Sequence, residues 1–314
     1  MPEAQIADQS LQGTPFGKSF AGHDTFAFRY MWLKKGIDHL RRDAEVFTQD
    51  DSIVRLGVGK NMVRSIRHWC VAARVAEEEP GTRGRRMRPT ELGNRLLQDD
   101  GWDPFLEDDA TLWLLHWNLA SAGTRTATWS IAFNQFHEYA FTRRAMVEFI
   151  MRRLEAIAWS GFAAATLERD VDCFIHTYLV GRARSSGSDD ELSCPLSTLA
   201  LLVQEPDGDR YRFQRGPKPT LPPAVFAYAL HEFWAWRDSD RDIMDIRDII
   251  GAEGSPGLVF KLDEDSVLWY LEALHKTTGG AMVLDETQLV RHVVRNHDQE
   301  LEPMGLLEAY YGQG

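Results

Sequence analysis

Residues 52 to 74 read Ser52-Ile-Val-Arg-Leu-Gly-Val-Gly-Lys-Asn-Met-Val-Arg-Ser-Ile-Arg-His-Trp-Cys-Val-Ala-Ala-Arg74. The stretch predicts a short helix, a glycine turn and a longer helix. In the longer helix Met62, Ile66, Trp69, Cys70 and Ala73 recur at i, i+4, i+7, i+8 and i+11, one apolar face at the helical period. Lys60, Arg64, Arg67 and His68 recur on the opposite face, with Asn61 beside them at the helix start. A helix apolar on one side and basic on the other suits the major groove of DNA. The same pattern also describes an ordinary amphipathic helix with a solvated basic face.

The flanking sequence favours the first reading. Glu77, Glu78 and Glu79 precede a Pro80-Gly81 turn, and the basic run Arg83, Arg85, Arg86, Arg88 follows. Thr90 then opens a further helical pattern through Leu92 and Leu96. Upstream, Phe26, Tyr30, Leu33, Ile37 and Leu40 predict a helix that Asp24 or Thr25 could cap. His23 and Asp24 fall at its start. Helices followed by a basic hairpin and another helix are the order of a winged helix-turn-helix. The arginines would lie in the wing, where they can neutralise phosphates.

Gly57-Val58-Gly59-Lys60 resembles part of a phosphate loop, but Val54 and Asn61 occupy the places of its other glycine and its Ser or Thr. No nucleotide is expected there. The chain has 314 residues, is 44% hydrophobic and 26% charged, and carries a formal charge of −12. That balance is globular and on its face argues against nucleic acid. The charge is unevenly placed, however. Residues 55 to 88 hold nine Lys and Arg against three Glu. A local basic patch on an acidic chain can bind DNA while the acidic remainder limits non-specific adhesion.

Cys70, Cys173 and Cys194 lie far apart with no Cys-x-x-Cys pair, so no zinc is expected and reduced thiols fit. No stretch approaches the apolar length that spans a bilayer, and no signal segment leads the chain. The expected location is the cytoplasm, with no membrane partner.

The expected fold is mainly α with small β hairpins, an α+β chain in successive parts. A flexible lead covers 1–17, the winged helix-turn-helix 18–100, and a helical domain 101–181. A C-terminal α+β domain covers 182–314, with an alternation open to a winged-helix-like arrangement. In the helical part, residues 129–139 and 142–157 read as helices, and the stretch from Thr111 is apolar almost all round, which predicts burial. His116 and Asn118 within it read as satisfied core polars. The polar loop 182–193 reads as the boundary. Beyond it, strands are expected at 199–203, 211–213 and 258–262, and helices at 223–236, 265–275 and 286–296.

Leu167, Val171, Phe174, Ile175 and Tyr178 mark one buried helical face, with Glu168, Asp172 and His176 along its edge. Carboxylates and an imidazole in a line could hold a divalent ion, or form a solvated acidic edge.

Several strings carry a resemblance: Gly22-His-Asp-Thr-Phe, Leu56-Gly-Val-Gly-Lys-Asn-Met-Val-Arg-Ser-Ile-Arg, Gly101-Trp-Asp-Pro-Phe-Leu-Glu-Asp, Thr111-Leu-Trp-Leu-Leu-His-Trp, Arg169-Asp-Val-Asp-Cys-Phe and Ser255-Pro-Gly-Leu-Val-Phe-Lys-Leu. From about residue 18 onward the chain resembles a bacterial domain-of-unknown-function family of DNA phosphorothioation and phage-defence gene clusters. The resemblance implies a strand-nicking component of a single-stranded phosphorothioation system that binds double-stranded DNA. Its implied partners are a cysteine desulfurase, an ATPase and a PAPS-reductase-like ATP-pyrophosphatase.

Strand cleavage asks for a divalent metal, Mg or Mn, held by carboxylates. Asp170 and Asp172 lie in a family-matching string and are the expected catalytic and metal residues, with His23 and Asp24 the next catalytic pair. In a regular helix, residues two apart point about 200° from each other. Asp170 and Asp172 could therefore share an ion only if the helix begins late. No His-Asn-His or Pro-Asp-x-Glu-x-Lys nuclease string is present. The alternative is a non-catalytic DNA-binding subunit that positions the sulfur-transfer enzymes.

Overall fold

The computed structural model describes residues 20–121, 123–159, 163–179, 194–238, 240–286, 291–299 and 301–312. The expected lead 1–17 and boundary loop 182–193 lie outside the described residues.

The N-terminal part follows the order read from sequence. Helix α1 (Tyr30–Arg42) is followed by α2 (Ser52–Leu56) and α3 (Lys60–Ala72). Gly57, at φ 63°, makes the left-handed turn between α2 and α3, where a side chain would be strained. Strands β1 (Ala76–Glu78) and β2 (Met87–Pro89) pair antiparallel, Glu77 opposite Arg88. Helix α4 (Glu91–Leu97) is capped by Thr90, whose hydroxyl accepts from Gly93 N at 3.0 Å. The apolar face of α3 is buried, except that Val63 displaces the half-buried Met62. One end of α1 departs from expectation. It starts at Tyr30, and Asp24 and Thr25 stand ahead of it at φ 46° and 72° in a turn, capping nothing.

Helices α5 (Asp109–Ala120), α6 (Ala127–Asn134), α7 (Arg143–Ala156) and α8 (Ala164–Tyr178) form the middle. Every residue of α5 after Asp109 is buried, as its all-round apolar sequence requires. The helix expected over 129–139 stops at Asn134. The chain there runs extended, so that Phe141 exchanges backbone bonds with Tyr211.

The hairpin β3 (Leu202–Gln204) and β4 (Tyr211–Phe213) leads into α9 (Pro223–Asp238). Then come β5 (Ile243–Asp245), α10 (Ile246–Gly251), α11 (Pro256–Val259), α12 (Glu264–Thr277), β6 (Met282–Glu286), β7 (Arg291–Arg295) and α13 (Pro303–Tyr311). The sheet order is β5-β7-β6, antiparallel throughout. The order of this part is thus helix, strand, helices and a returning hairpin.

Two expectations fail in this part. The strand expected at 258–262 is instead the end of α11 and a turn, because Pro256 sits in the first turn and Ser255 caps Leu258 N. The helix expected over 286–296 contains β7, where Val293 is buried between Met244 and Leu284. A Val-Val pair stiff at χ1 prefers that pleated setting.

One core runs from Phe20 to Leu307 through all these elements but α2. Arg74 holds Glu232 on α9 with two hydrogen bonds, and Trp102 stacks on Tyr311 of α13 at 5.0 Å.

Candidate nucleic-acid interface and a buried His–Asp clamp

Lys60, Asn61 and Arg64 stand exposed on the outer face of α3. Arg67 does not reach outward. Its Nη2 donates to Glu78 Oε1 at 3.0 Å and to the Gly84 carbonyl at 2.7 Å, tying the helix to the hairpin. Within the hairpin, Arg88 pairs with Glu77 at 2.7 Å and Arg86 with Glu79 at 2.9 Å. Of the cations on the outer face of α3 and in the hairpin, Lys60, Arg64, Arg83 and Arg85 are the ones left without an ion pair among the described residues.

Between α3 and the hairpin lies a cleft of about 360 Å³. Arg64, Arg67, His68, Glu78, Gly22 and Arg125 line it, with Phe47 and Val71. Gly22, Phe47 and Arg125 escaped the sequence reading. Gly22 stood in a family string, but the loop carrying Arg125 has no periodicity to signal it.

His68, expected on the basic outer face, turns inward. A Cβ at Gly22 would lie 2.4 Å from its Nδ1, so only glycine admits the ring. The ring meets that of His23 edge-on at 5.9 Å. Burial pushes its pKa down to about 3, so it carries no charge near neutrality. Its Nε2 is buried without a hydrogen-bond partner.

His23 is buried beneath this wall, stacked against Trp69 at 6.1 Å. Its Nδ1 accepts from Thr25 N at 3.1 Å. The ring proton therefore sits on Nε2, 2.7 Å from Asp170 Oδ1, to which it donates. Asp170 also accepts from Ala21 N and from the Thr128 hydroxyl. Both ring nitrogens and both carboxylate oxygens are engaged. The pair clamps the 21–25 turn to α8 and α6.

Of the four expected catalytic residues, the structure thus brings His23 and Asp170 together. Asp24 is half-buried, with an Oδ2 that has no hydrogen-bond partner. Asp172 forms an ion pair with Arg143 of α7. Both Asp170 and Asp172 lie well inside α8, so they point apart. They do not fit a shared ion. Glu168 and His176 are exposed, and His176 Nδ1 bonds the Asp172 carbonyl at 2.7 Å. Among the described residues no three His, Cys, Asp or Glu gather as a metal site. His116 is a core polar group, bonded to the Tyr178 hydroxyl at 2.8 Å and the Val259 carbonyl at 2.9 Å.

Residues 20–311 match a family described as a protein of unknown function, DUF4007. The chain belongs to the DUF4007 family. Solved structures agree with this placement. The magnesium ion-bound SspB crystal structure superposes with a TM-score of 0.85 at 31% identity, covering 94% of this chain and 88% of that one. A second SspB crystal structure gives 0.84 at the same identity and coverage. No curated protein matches. The resemblance carried by the quoted strings, to an SspB-like phosphorothioation-associated family, is borne out.

Proposed function

We propose that this DUF4007 member is a DNA-binding, strand-nicking protein of a single-stranded DNA phosphorothioation system acting in phage defence. The observation that carries the reading is the likeness to SspB over nearly the whole chain. The unpaired cations on α3 and the hairpin support the DNA-binding half. Double-stranded DNA would lie across Lys60, Arg64, Arg83 and Arg85, with the cleft beside it.

Magnesium in an SspB structure supports Mg²⁺ or Mn²⁺ as the cofactor for cutting. The side chains of Asp170 and Asp172 do not supply that site, and no step is assigned to the ion. Asp24 is the catalytic candidate with an unengaged carboxylate oxygen. A cysteine desulfurase, an ATPase and a PAPS-reductase-like ATP-pyrophosphatase are the partners proposed with this reading.

A second reading, a non-catalytic DNA-binding subunit that positions those enzymes, is favoured by the fully engaged His23 and Asp170. Relaxation of supercoiled plasmid separates the two. Nicking is expected with Mg²⁺ or Mn²⁺, not with EDTA, and is expected to disappear in Asp24→Asn. Nicking no greater than that of the variant, with duplex binding retained, would establish the scaffold reading instead.

A further inference from the structure

Helix α12 holds the place in the C-terminal unit that α3 holds in the N-terminal one. Its surface chemistry is opposite. Asp265, Trp269 and Glu272 recur at i, i+4 and i+7 on its exposed face. Trp269 is 57% exposed, whereas Trp69, Trp113, Trp117, Trp129 and Trp234 are fully buried. A large apolar side chain left in water on an otherwise well-packed helix marks a place for a partner.

The indole does not stand alone. Beside it opens an apolar cavity of about 400 Å³, walled by Pro217, Pro219, Leu221, Trp269 and Tyr270. The Tyr270 hydroxyl lies 3.1 Å from the Lys218 carbonyl and 3.0 Å from that of Leu221, which fixes the proline loop. The Lys218 amine is turned to the Gln214 carbonyl at 2.7 Å. The wall is therefore preformed, which lowers the ordering cost of binding.

On the other side of Trp269 and Leu221 a wider cleft of about 820 Å³ runs along the start of α5. Asp103 and Asp108 are spent there, holding backbone N–H groups of the loop and the helix end. Glu107 and Asp109 are exposed. Elsewhere on the surface acids stand against arginines, as in Glu79–Arg86, Glu205–Arg212 and Asp245–Arg247. Glu107, Asp109, Asp265 and Glu272 are in no ion pair among the described residues.

We propose that Trp269, its proline-walled cavity and the flanking carboxylates form a docking site for a cationic segment of a partner protein. An apolar residue of that segment fills the cavity, and Arg or Lys neighbours meet Glu107, Asp109 and Asp265. The indole face offers the same cations a further contact. Unpaired carboxylates repel phosphate, so the site faces a protein and leaves nucleic acid to α3 and its hairpin.

The test uses the full chain and fluorescence anisotropy with a short labelled peptide of alternating Arg and Leu. Peptides of Arg with Ser and of Glu with Leu serve as controls. The Arg–Leu peptide is expected to bind best. Trp269→Ala should weaken it about tenfold or more, while Trp269→Phe retains most of the affinity. Asp109→Asn with Asp265→Asn should weaken it and flatten its salt dependence. Arg64→Ala with Arg83→Ala should leave it unchanged, which separates this site from duplex binding. Thermal melts check that each variant is folded. Equal binding of the Arg–Ser peptide, or an unaffected Trp269→Ala variant, would reduce the site to diffuse charge and overturn the proposal. So would self-association of the free protein that Trp269→Ala abolishes, because the occupant would then be a second copy.

Discussion

Asp170 is the residue on which sequence and structure part most. In sequence it stood as a metal ligand, but in the fold it is a buried carboxylate fed by three donors from separate segments. Removing it leaves His23, Thr128 and Ala21 N without their acceptor. Asp170→Ala should lower stability by several kcal/mol, since each buried donor left without an acceptor costs about 1–3 kcal/mol. Asp172→Ala removes only a part-exposed ion pair with Arg143 and should cost under about 1 kcal/mol. Urea midpoints compare the two directly, and equal midpoints would dissolve the clamp.

His68 and His116 make a second test at this scale. Burial holds each near a pKa of about 3. In the unfolded chain each returns to about 6.5, so the unfolded state binds more protons below that pH. Stability is full above about pH 6.5 and falls as pH drops toward 3. Each histidine contributes a slope of on the order of 1.4 kcal/mol per pH unit. Thermal midpoints should decline from about pH 6.5 downward, and His68→Gln should flatten that decline. A variant as acid-sensitive as the parent would mean that His68 is not held neutral.

At the scale of elements, the N-terminal hairpin divides its arginines into two kinds. Arg86 and Arg88 answer Glu79 and Glu77, while Arg83 and Arg85 point into solvent without an ion pair among the described residues. Duplex binding should therefore depend more on the second pair. Arg83→Ala with Arg85→Ala is expected to reduce the slope of log affinity against log salt by about 1.8, or about 0.9 per lost phosphate contact. Arg86→Ala with Arg88→Ala should change it less, because those side chains must first leave their glutamates. A salt titration in which the two double variants behave alike would show that the internal pairing does not govern phosphate contact. The α3 helix shows the same division within one element. Arg64 is open to solvent, whereas Arg67, one turn on, is used to hold the hairpin in place.

For the whole molecule, charge and fold are arranged together. Two units share the order helix, helix and returning hairpin, one at each end of a helical middle, and one core joins them. The cations of α3 and the first hairpin that are in no ion pair among the described residues, Lys60, Arg64, Arg83 and Arg85, stand on the N-terminal unit, and the unpaired Glu107, Asp109, Asp265 and Glu272 stand at the start of α5 and on α12. An acidic protein can then present one face to a polyanion and another to a cationic partner. No described helix is long and apolar enough to cross a membrane.

The sequence by itself determined the elements whose signals are local. The Gly57 turn needs only its own φ, α5 needs only to be apolar all round, and the buried face of α8 follows from helical spacing. Spacing also determined the order helix, turn, helix, hairpin and helix in the N-terminal part. Where the signal was short and apolar, as at 258–262 and 286–296, period alone could not tell strand from helix, and capping and cross-strand burial decided. The site belongs almost wholly to tertiary structure. Asp170 lies 147 residues from His23, and their bond has no sequence signature. Whether an arginine meets a glutamate or water depends on which strand lies opposite, and that is settled only when the hairpin docks. Trp269 stands off the Val267, Tyr270, Leu271 and Leu274 face of α12, and packing leaves it outside, because a helix buries only the face its neighbours cover.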